Sequence, residues 1–249
     1  MIKDEDELLK RRIDDIIQLN AVRFKPAFLG FLDERQVFVA HEYLDYIKND
    51  SYVFYGGFEG CVRAFVGVDV YGEIPLDKFP VKMLSFRYRK TDKLTHRDFL
   101  GALMGLGIKR ESVGDIVVSE GAAHVFVDES VAPFIIENMT KVGRVGVKVF
   151  WGSAENIVVE QRFENISCTV ASLRLDCIVN AITSLSREKT KQLILSKNVT
   201  LNYQICTDIS KTVESGDKIS VRGKGKYILD TIGGVSKKGR RHITIKHFL

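Results

Sequence analysis

The chain has 249 residues, of which 45% are hydrophobic, 28% are charged and only 4 are proline, a composition that excludes collagen-like and wholly disordered proteins. It contains no apolar run of about 18 residues or more, so no transmembrane helix is predicted. Residues 4–7 are all acidic and no apolar stretch follows them. A secretory signal has the opposite pattern, so we expect a cytoplasmic protein with no membrane partner.

Charge is distributed unevenly along the chain. Residues 1–75 contain 9 Lys and Arg against 14 Asp and Glu, whereas residues 170–249 contain 15 against 6. The formal net charge of the whole chain is +5. A basic C-terminal third joined to an acidic N-terminal third indicates that the C-terminal part binds a polyanion.

The first segment, residues 1–76, is predicted to be an α+β domain. Apolar residues at helical spacing between Leu8 and Ile17 predict an amphipathic helix, and a second helix is expected over residues 34–48. Residues 52–58 and 61–70 are predicted strands joined through a glycine-rich turn. The glycines lack the spacing of a phosphate-binding loop, so the pattern favours a β-hairpin.

The second segment, residues 77–160, has the order strand, helix, strand, strand, helix, strand. The helices are expected at 95–107, beginning with a Thr95–Asp98 capping box, and at 130–142, beginning at Ser130. The strands are expected at 81–89, 115–119, 124–127 and 145–151. This order predicts a ferredoxin-like domain, which both RNA-binding modules and unrelated enzymes use. The aromatic strand motif of the commonest RNA-binding version is missing, so the pattern leaves RNA binding by this segment open.

One group of residues in this segment could suggest acid–base catalysis. Residues 96–98 contain a His and an Asp, and His124 and Asp128 follow. However, neighbouring residues on a helix point about 100° apart, and Asp98 already has a capping role. The four cysteines form no Cys-x-x-Cys pair, and no common catalytic motif occurs. We therefore expect no enzymatic activity, no metal and no cofactor.

The third segment, residues 170–249, begins with a predicted short helix from 173 to about 182. A turn with Ser186 as N-cap leads into a basic helix over 187–196. Strands are predicted at 199–202 and 218–222, and a tail at 237–242 reads as basic residues at the end of a strand.

Five short motifs occur in a fixed order within this third segment. They are Arg174-Leu175-Asp176, Ser186-Arg187, Leu193-Ile194, Val199-Thr200-Leu201-Asn202 and Gly216-Asp217-Lys218-Ile219. Together they resemble the RNA-binding domain named after ribosomal small-subunit protein four, also called the alpha-L motif and here the S-four domain. Lys197 stands where that family usually has glycine, and we expect Asn198 to take the left-handed cap conformation instead.

The resemblance and the charge together predict an RNA-binding surface on the second helix of this segment and on the adjoining turns. Arg187 can donate two hydrogen bonds to one phosphate, whereas lysines act as point charges. For Asp176, pairing with Arg174 or holding the helix start is as well supported as RNA contact. The predicted RNA-binding residues are Arg174, Asp176, Ser186, Arg187, Lys189, Lys191, Gln192, Lys197, Asn202, Arg222, Lys224 and Lys226.

A second resemblance extends over the whole chain. Residues 95–103, 106–110, 114–116 and 141–144 resemble the central domain of the YlmH-like bacterial family, whose members often have tryptophan where this chain has Tyr203. The resemblance implies an α+β protein with an N-terminal α/β-hairpin domain, a central ferredoxin-like domain and a C-terminal S-four domain over residues 170–249.

The same resemblance implies a non-enzymatic translation factor of ribosome-associated quality control. Such a factor would bind ribosomal RNA and tRNA on a large ribosomal subunit carrying stalled peptidyl-tRNA, and would support C-terminal tailing of the stalled chain. Other quality-control factors are further candidate partners, and a monomer is the default expectation.

Two alternatives remain open. S-four domains also serve as RNA handles on modifying enzymes, although residues 1–169 lack a methyltransferase glycine-rich loop and are too short and divided for a pseudouridine synthase. The other alternative is a cell-division-associated adaptor that docks through its acidic N-terminal segment. No basic amphipathic membrane helix supports that adaptor reading.

Overall fold

The computed structural model describes residues 2–153 and 163–248 and is an α+β protein. Packing divides the chain into two compact units, Met1–Val159 and Glu160–Leu249. The predicted end of the second segment, at residue 160, lies outside the described residues. None of the described helices combines the length and the apolar character that crossing a bilayer requires.

The first unit begins with a small sheet covered by two helices. Its elements are α1 (Ile2–Arg23), β1 (Ala27–Leu32), α2 (Glu34–Tyr46), β2 (Tyr52–Tyr55) and β3 (Ala64–Val68). The strands are antiparallel in the order β1-β3-β2, which confirms the predicted hairpin of β2 and β3. Leu9, Ile13 and Ile16 are buried, but Leu8 is 58% exposed. Strand β1 was not predicted, because a short continuous apolar run has no period that separates strand from helix.

A ferredoxin-like part follows in the same unit. Its elements are β4 (Val81–Arg87), α3 (His96–Gly105), β5 (Val113–Ser119), β6 (Ala122–Asp128), α4 (Ala132–Asn138), β7 (Lys141–Val142), β8 (Val145–Gly146) and β9 (Lys148–Trp151). The four long strands are antiparallel in the order β5-β6-β4-β9. This is the sheet order of the βαββαβ arrangement, so the predicted ferredoxin-like topology is confirmed.

The prediction of a helix over residues 130–142 is wrong in both its start and its end. Ser130 is not the N-cap, because its N–H and hydroxyl donate to Asp128 instead. Helix α4 ends at Asn138, and β7 and β8 then pair as a small hairpin. Gly143 has a φ of 59° in that hairpin, a left-handed conformation that glycine adopts without strain.

Aromatic side chains join the two parts of the first unit in one core. Phe31, Phe58 and Phe65 of the first part pack with Phe79 and Phe126 of the second. The ring centroids of Phe58 and Phe126 are 4.6 Å apart. The predicted boundary at residue 76 therefore falls inside a single compact unit, and one end of the outer face of the ferredoxin-like sheet is covered.

The second unit is a six-stranded antiparallel sheet with two helices on one face. Its elements are β10 (Phe163–Val170), α5 (Leu175–Thr183), α6 (Arg187–Leu195), β11 (Val199–Leu201), β12 (Gln204–Ile205), β13 (Lys218–Val221), β14 (Gly225–Val235) and β15 (Arg241–Phe248). The order is β10-β15-β14-β13-β11-β12. Buried Leu175, Ile178 and Ile194 of the helices pack with Leu229 and Ile245 of the sheet.

The structure corrects two expectations for this unit. Residues 237–240 of the basic tail form the turn between β14 and β15, a long hairpin that the sequence did not predict, and residues 241–242 begin β15, which pairs with β10 along its whole length. Lys197, rather than Asn198, has the left-handed conformation, with a φ of 61°. The N–H of Lys197 donates to Ile194 and that of Asn198 to Leu193, which is the Schellman pattern with Lys197 in the position usually held by glycine.

Candidate nucleic-acid interface

The start of α5 is organised by an arginine–carboxylate pair. Arg174 donates from Nε and Nη2 to the two carboxylate oxygens of Asp176, at 3.1 and 3.0 Å. The N–H of Cys177 also donates to Asp176, at 2.9 Å. Burial by itself raises the pKa of Asp176, but the hydrogen bonds and charge of Arg174 outweigh it and hold the pKa below its usual value. The pairing role that the sequence left open for Asp176 is therefore present.

Helix α6 presents its polar face to solvent. The Oγ of Ser186 accepts a hydrogen bond from the N–H of Lys189, which confirms the predicted N-cap. Thr190 and Ile194 are buried one turn apart, so the opposite face is turned outward. The predicted RNA-binding residues on that outward face are all exposed: Arg187, Lys189, Lys191 and Gln192.

A groove of about 660 Å³ lies where α5, α6, β10 and the β14–β15 turn meet. Arg174, Arg187 and Arg240 line it, and of its described lining residues only Asp176 is acidic. Arg240 donates from Nε to the hydroxyl and from Nη2 to the carbonyl of Thr169, at 3.1 and 2.5 Å. Its guanidinium is therefore held in place at the groove wall. Three guanidinium groups from three different elements give this groove the chemistry of a phosphate site.

A second basic cluster lies at the other end of α6. The N–H of Arg222 donates to the carbonyl of Asn198 at 2.9 Å, which brings the β13–β14 turn beside Lys197. Arg222, Lys224, Lys226 and Lys197 are all exposed. The rise along α6 separates this cluster from Arg187 by about 15 Å. The predicted cations thus lie towards the two ends of α6, with the groove at one end and the turn cluster at the other.

Asn202 has a different role from its predicted partners. Its Nδ2 donates to Asp217 at 2.7 Å, and its Oδ1 accepts the N–H of Lys218 at 2.9 Å. Its φ of 47° is in the left-handed region. This side chain ties the β11–β12 turn to the turn before β13, so the fold already uses it. RNA contact by Asn202 stays a prediction.

Sequence reasoning missed Arg240 as a groove residue and Thr169 as its anchor. The two are 71 residues apart in the chain, and no motif connects them. A signal was present, since Gly239 stands within a basic turn flanked by stretches rich in β-branched residues. That pattern predicts a hairpin, which would have placed the tail against the sheet.

The residues that could suggest acid–base catalysis do not come together. The Nδ1 of His124 lies 3.1 Å from the Oγ of Ser85. Asp98 instead accepts from the N–H and hydroxyl of Thr95, at 2.8 and 2.7 Å, which confirms its predicted role at the start of α3. Within residues 2–153 and 163–248, no three His, Cys, Asp or Glu side chains are placed to hold a metal ion.

Comparison with known proteins gives three findings. A family model described as "Putative RNA-binding domain in YlmH" matches residues 75–155. The Bacillus subtilis (strain 168) protein named "Ribosome-associated protein quality control protein P2" is 34% identical over 169 residues, which is 66% of this chain and 66% of that protein. The chain thus covers just under two thirds of that relative's length.

Among solved structures, one described as "Cell division protein ylmH from Streptococcus pneumoniae" is similar to 59% of this chain, over 91% of its own length. Its TM-score is 0.49 and its sequence identity is 21%. The family match assigns residues 75–155 to the RNA-binding domain of YlmH proteins, and the chain is similar to the YlmH-like family.

Proposed function

We propose that this protein is a non-enzymatic RNA-binding factor of ribosome-associated quality control. Residues 170–249 act as an S-four domain that binds ribosomal RNA and tRNA on large subunits carrying stalled peptidyl-tRNA. The protein acts in the cytoplasm as a monomer, and it supports C-terminal tailing of the stalled chain. The name of the Bacillus relative supports the quality-control role, and the arginine-lined groove carries the proposal for RNA.

The groove suits a phosphate backbone better than a single small anion. Arg187 and Arg240 stand on different elements, and Arg240 is already oriented by Thr169, so little side-chain freedom is lost on binding. Arg174 is oriented in the same way by Asp176. The exposed cations of α6 and of the β13–β14 turn extend this charge beyond the groove, as binding of structured RNA requires.

The test is sedimentation of tagged protein with large subunits in a sucrose gradient, with salt raised stepwise and tRNA probed in each fraction. Replacing Arg174 and Arg187 together by alanine removes two groove cations and should shift the protein to the top of the gradient at physiological salt. The slope of the logarithm of affinity against the logarithm of salt concentration should also become shallower, by about 0.7–0.9 for each lost phosphate contact.

A matched control removes the same charge elsewhere. Arg23 and Lys25 are exposed cations of the first unit, and their double alanine variant should sediment like the wild-type protein. Equal sedimentation of the groove variant and the wild-type protein would show that the groove is not the ribosome-binding surface. Sedimentation of the wild-type protein at the top of the gradient at every salt would remove the ribosome from the proposal.

A further inference from the structure

Among the described residues, the outer face of the ferredoxin-like sheet is covered at one end and presents exposed side chains at the other. Phe58 of the preceding part packs on Phe126, so this aromatic ring of the central strand β6 is buried and cannot stack a base. Further along, Ser85 pairs with His124 on one side and with Phe150 on the other. Directly opposite residues of an antiparallel pair share a face, so these three side chains form one row.

The next row on the same face is basic. Arg87 pairs with Lys148 on β9 and with Ala122 on β6, and both cations are exposed. The guanidinium carbon of Arg87 lies 5.8 Å from the centre of the Phe150 ring. The exposed end of the face therefore combines an aromatic ring with two cations, although the segment before it, residues 1–75, is acidic.

Phe150 and His124 offer a ligand different contacts, an exposed ring and a hydrogen-bonding nitrogen. Phe150 is 38% exposed, on a strand at the edge of the sheet. Ser85 fixes the ring of His124 through Nδ1, and burial, followed by the charge of Arg87, lowers the pKa of His124. The lowered pKa favours the neutral imidazole, and because Nδ1 is engaged by Ser85, Nε2 is the nitrogen that can hydrogen-bond to the edge of a base.

We propose that these two rows bind single-stranded RNA, with an unpaired base stacked on Phe150 and the adjoining phosphates neutralised by Arg87 and Lys148. Unpaired RNA bases stack on aromatic rings and on arginine planes, and each stacked base adds substantially to affinity. A duplex keeps its bases inside the helix and cannot use the ring. This base platform, formed by Arg87, His124, Lys148 and Phe150, is a second RNA contact that does not depend on the groove of the other unit.

Trp151 provides a local signal for the test. It is the one tryptophan of the chain, it follows Phe150 directly, and it is 55% exposed. Its fluorescence in the full-length protein is titrated with a short oligouridine and, separately, with a duplex of equal length. Wild-type protein should respond to the single strand at a lower concentration than to the duplex.

Three substitutions separate stacking from other effects. Phe150→Ala should weaken single-strand binding by about 5- to 100-fold. Phe150→Tyr keeps a ring and should bind like wild type, which also guards against a folding defect in the alanine variant. Phe134→Ala removes a 45% exposed phenylalanine from α4 of the same unit and should leave the affinity unchanged.

Each contrary result overturns the platform. Equal affinity of Phe150→Ala and wild type would show that the ring does not stack a base. Equal binding of duplex and single strand would show attraction by charge alone. The variant with Arg174 and Arg187 replaced should keep the Trp151 response, so failure of the groove proposal and failure of the platform give different results. Loss of that response in the groove variant would show that the platform is no independent site.

Discussion

Replacing Asn202 by alanine tests whether this residue serves the fold before it serves RNA. The change removes the hydrogen bond to Asp217 at 2.7 Å and the one from the Lys218 N–H at 2.9 Å. It also places alanine at a φ of 47°, which asparagine tolerates better because its side chain can bond locally. Both effects destabilise the second unit.

The size of the effect follows from these contacts. A neutral hydrogen bond contributes about 0.5–1.5 kcal/mol and one to a charged group about 1.5–3 kcal/mol, while the left-handed conformation costs about 1–2 kcal/mol. Asp217 keeps the N–H of Glu214, and Asn202 is half-buried, so water replaces part of the loss. We expect the free energy of unfolding of this unit to fall by about 2–3 kcal/mol.

The assay is hydrogen exchange measured by mass spectrometry on peptides covering β11 and β13. Asn202→Gly loses the same bonds without the left-handed strain, so it should be destabilised by about 1 kcal/mol less than Asn202→Ala. Asn198→Ala, which loses one exposed bond to Ser196, should change stability by less than about 0.5 kcal/mol. Unfolding followed by Trp151 fluorescence reports the first unit and should be unchanged.

Unchanged exchange in Asn202→Ala, accompanied by a loss of RNA affinity, would refute the structural role. The residue would then be an RNA contact, as its place in the S-four motif predicts.

Two further predictions concern helix ends. The hydroxyl and then the N–H of Thr95 hold the pKa of Asp98 below its usual value, so this contribution is present above the unfolded-state pKa and is lost as pH falls through the folded-state pKa. Asp98→Asn should reduce the acid sensitivity of the urea midpoint, followed by Trp151 fluorescence; parallel profiles for variant and wild type would contradict this. Lys197→Gly removes the strain of a lysine in the left-handed conformation and should stabilise the second unit by about 0.5–1 kcal/mol in urea unfolding. The salt dependence of RNA binding should become shallower, because one cation is lost. Lower stability of this variant would show that the Lys197 backbone is not strained.

Local features of this protein could be predicted from the sequence. The Thr95–Asp98 box and the Ser186 N-cap depend on residues three positions apart, and both are present. The βαββαβ order follows from alternating apolar positions. The end of α4 was misjudged because a short hairpin around Gly143 competes locally with continued helix. The left-handed residue was expected at Asn198 but is Lys197, and this error of one position has the same local origin.

The order of most elements, the basic character of the last third and the S-four-like motif could be predicted from the sequence, because each depends on residues that are close together in the chain. The position of Arg240 could not be predicted, since its anchor Thr169 is brought close by the pairing of β10 with β15. The sequence also did not show that Phe58 buries Phe126 while Phe150 stays exposed. Which aromatic ring remains free on a sheet depends on what packs over it, and that packing joins residues far apart in the chain.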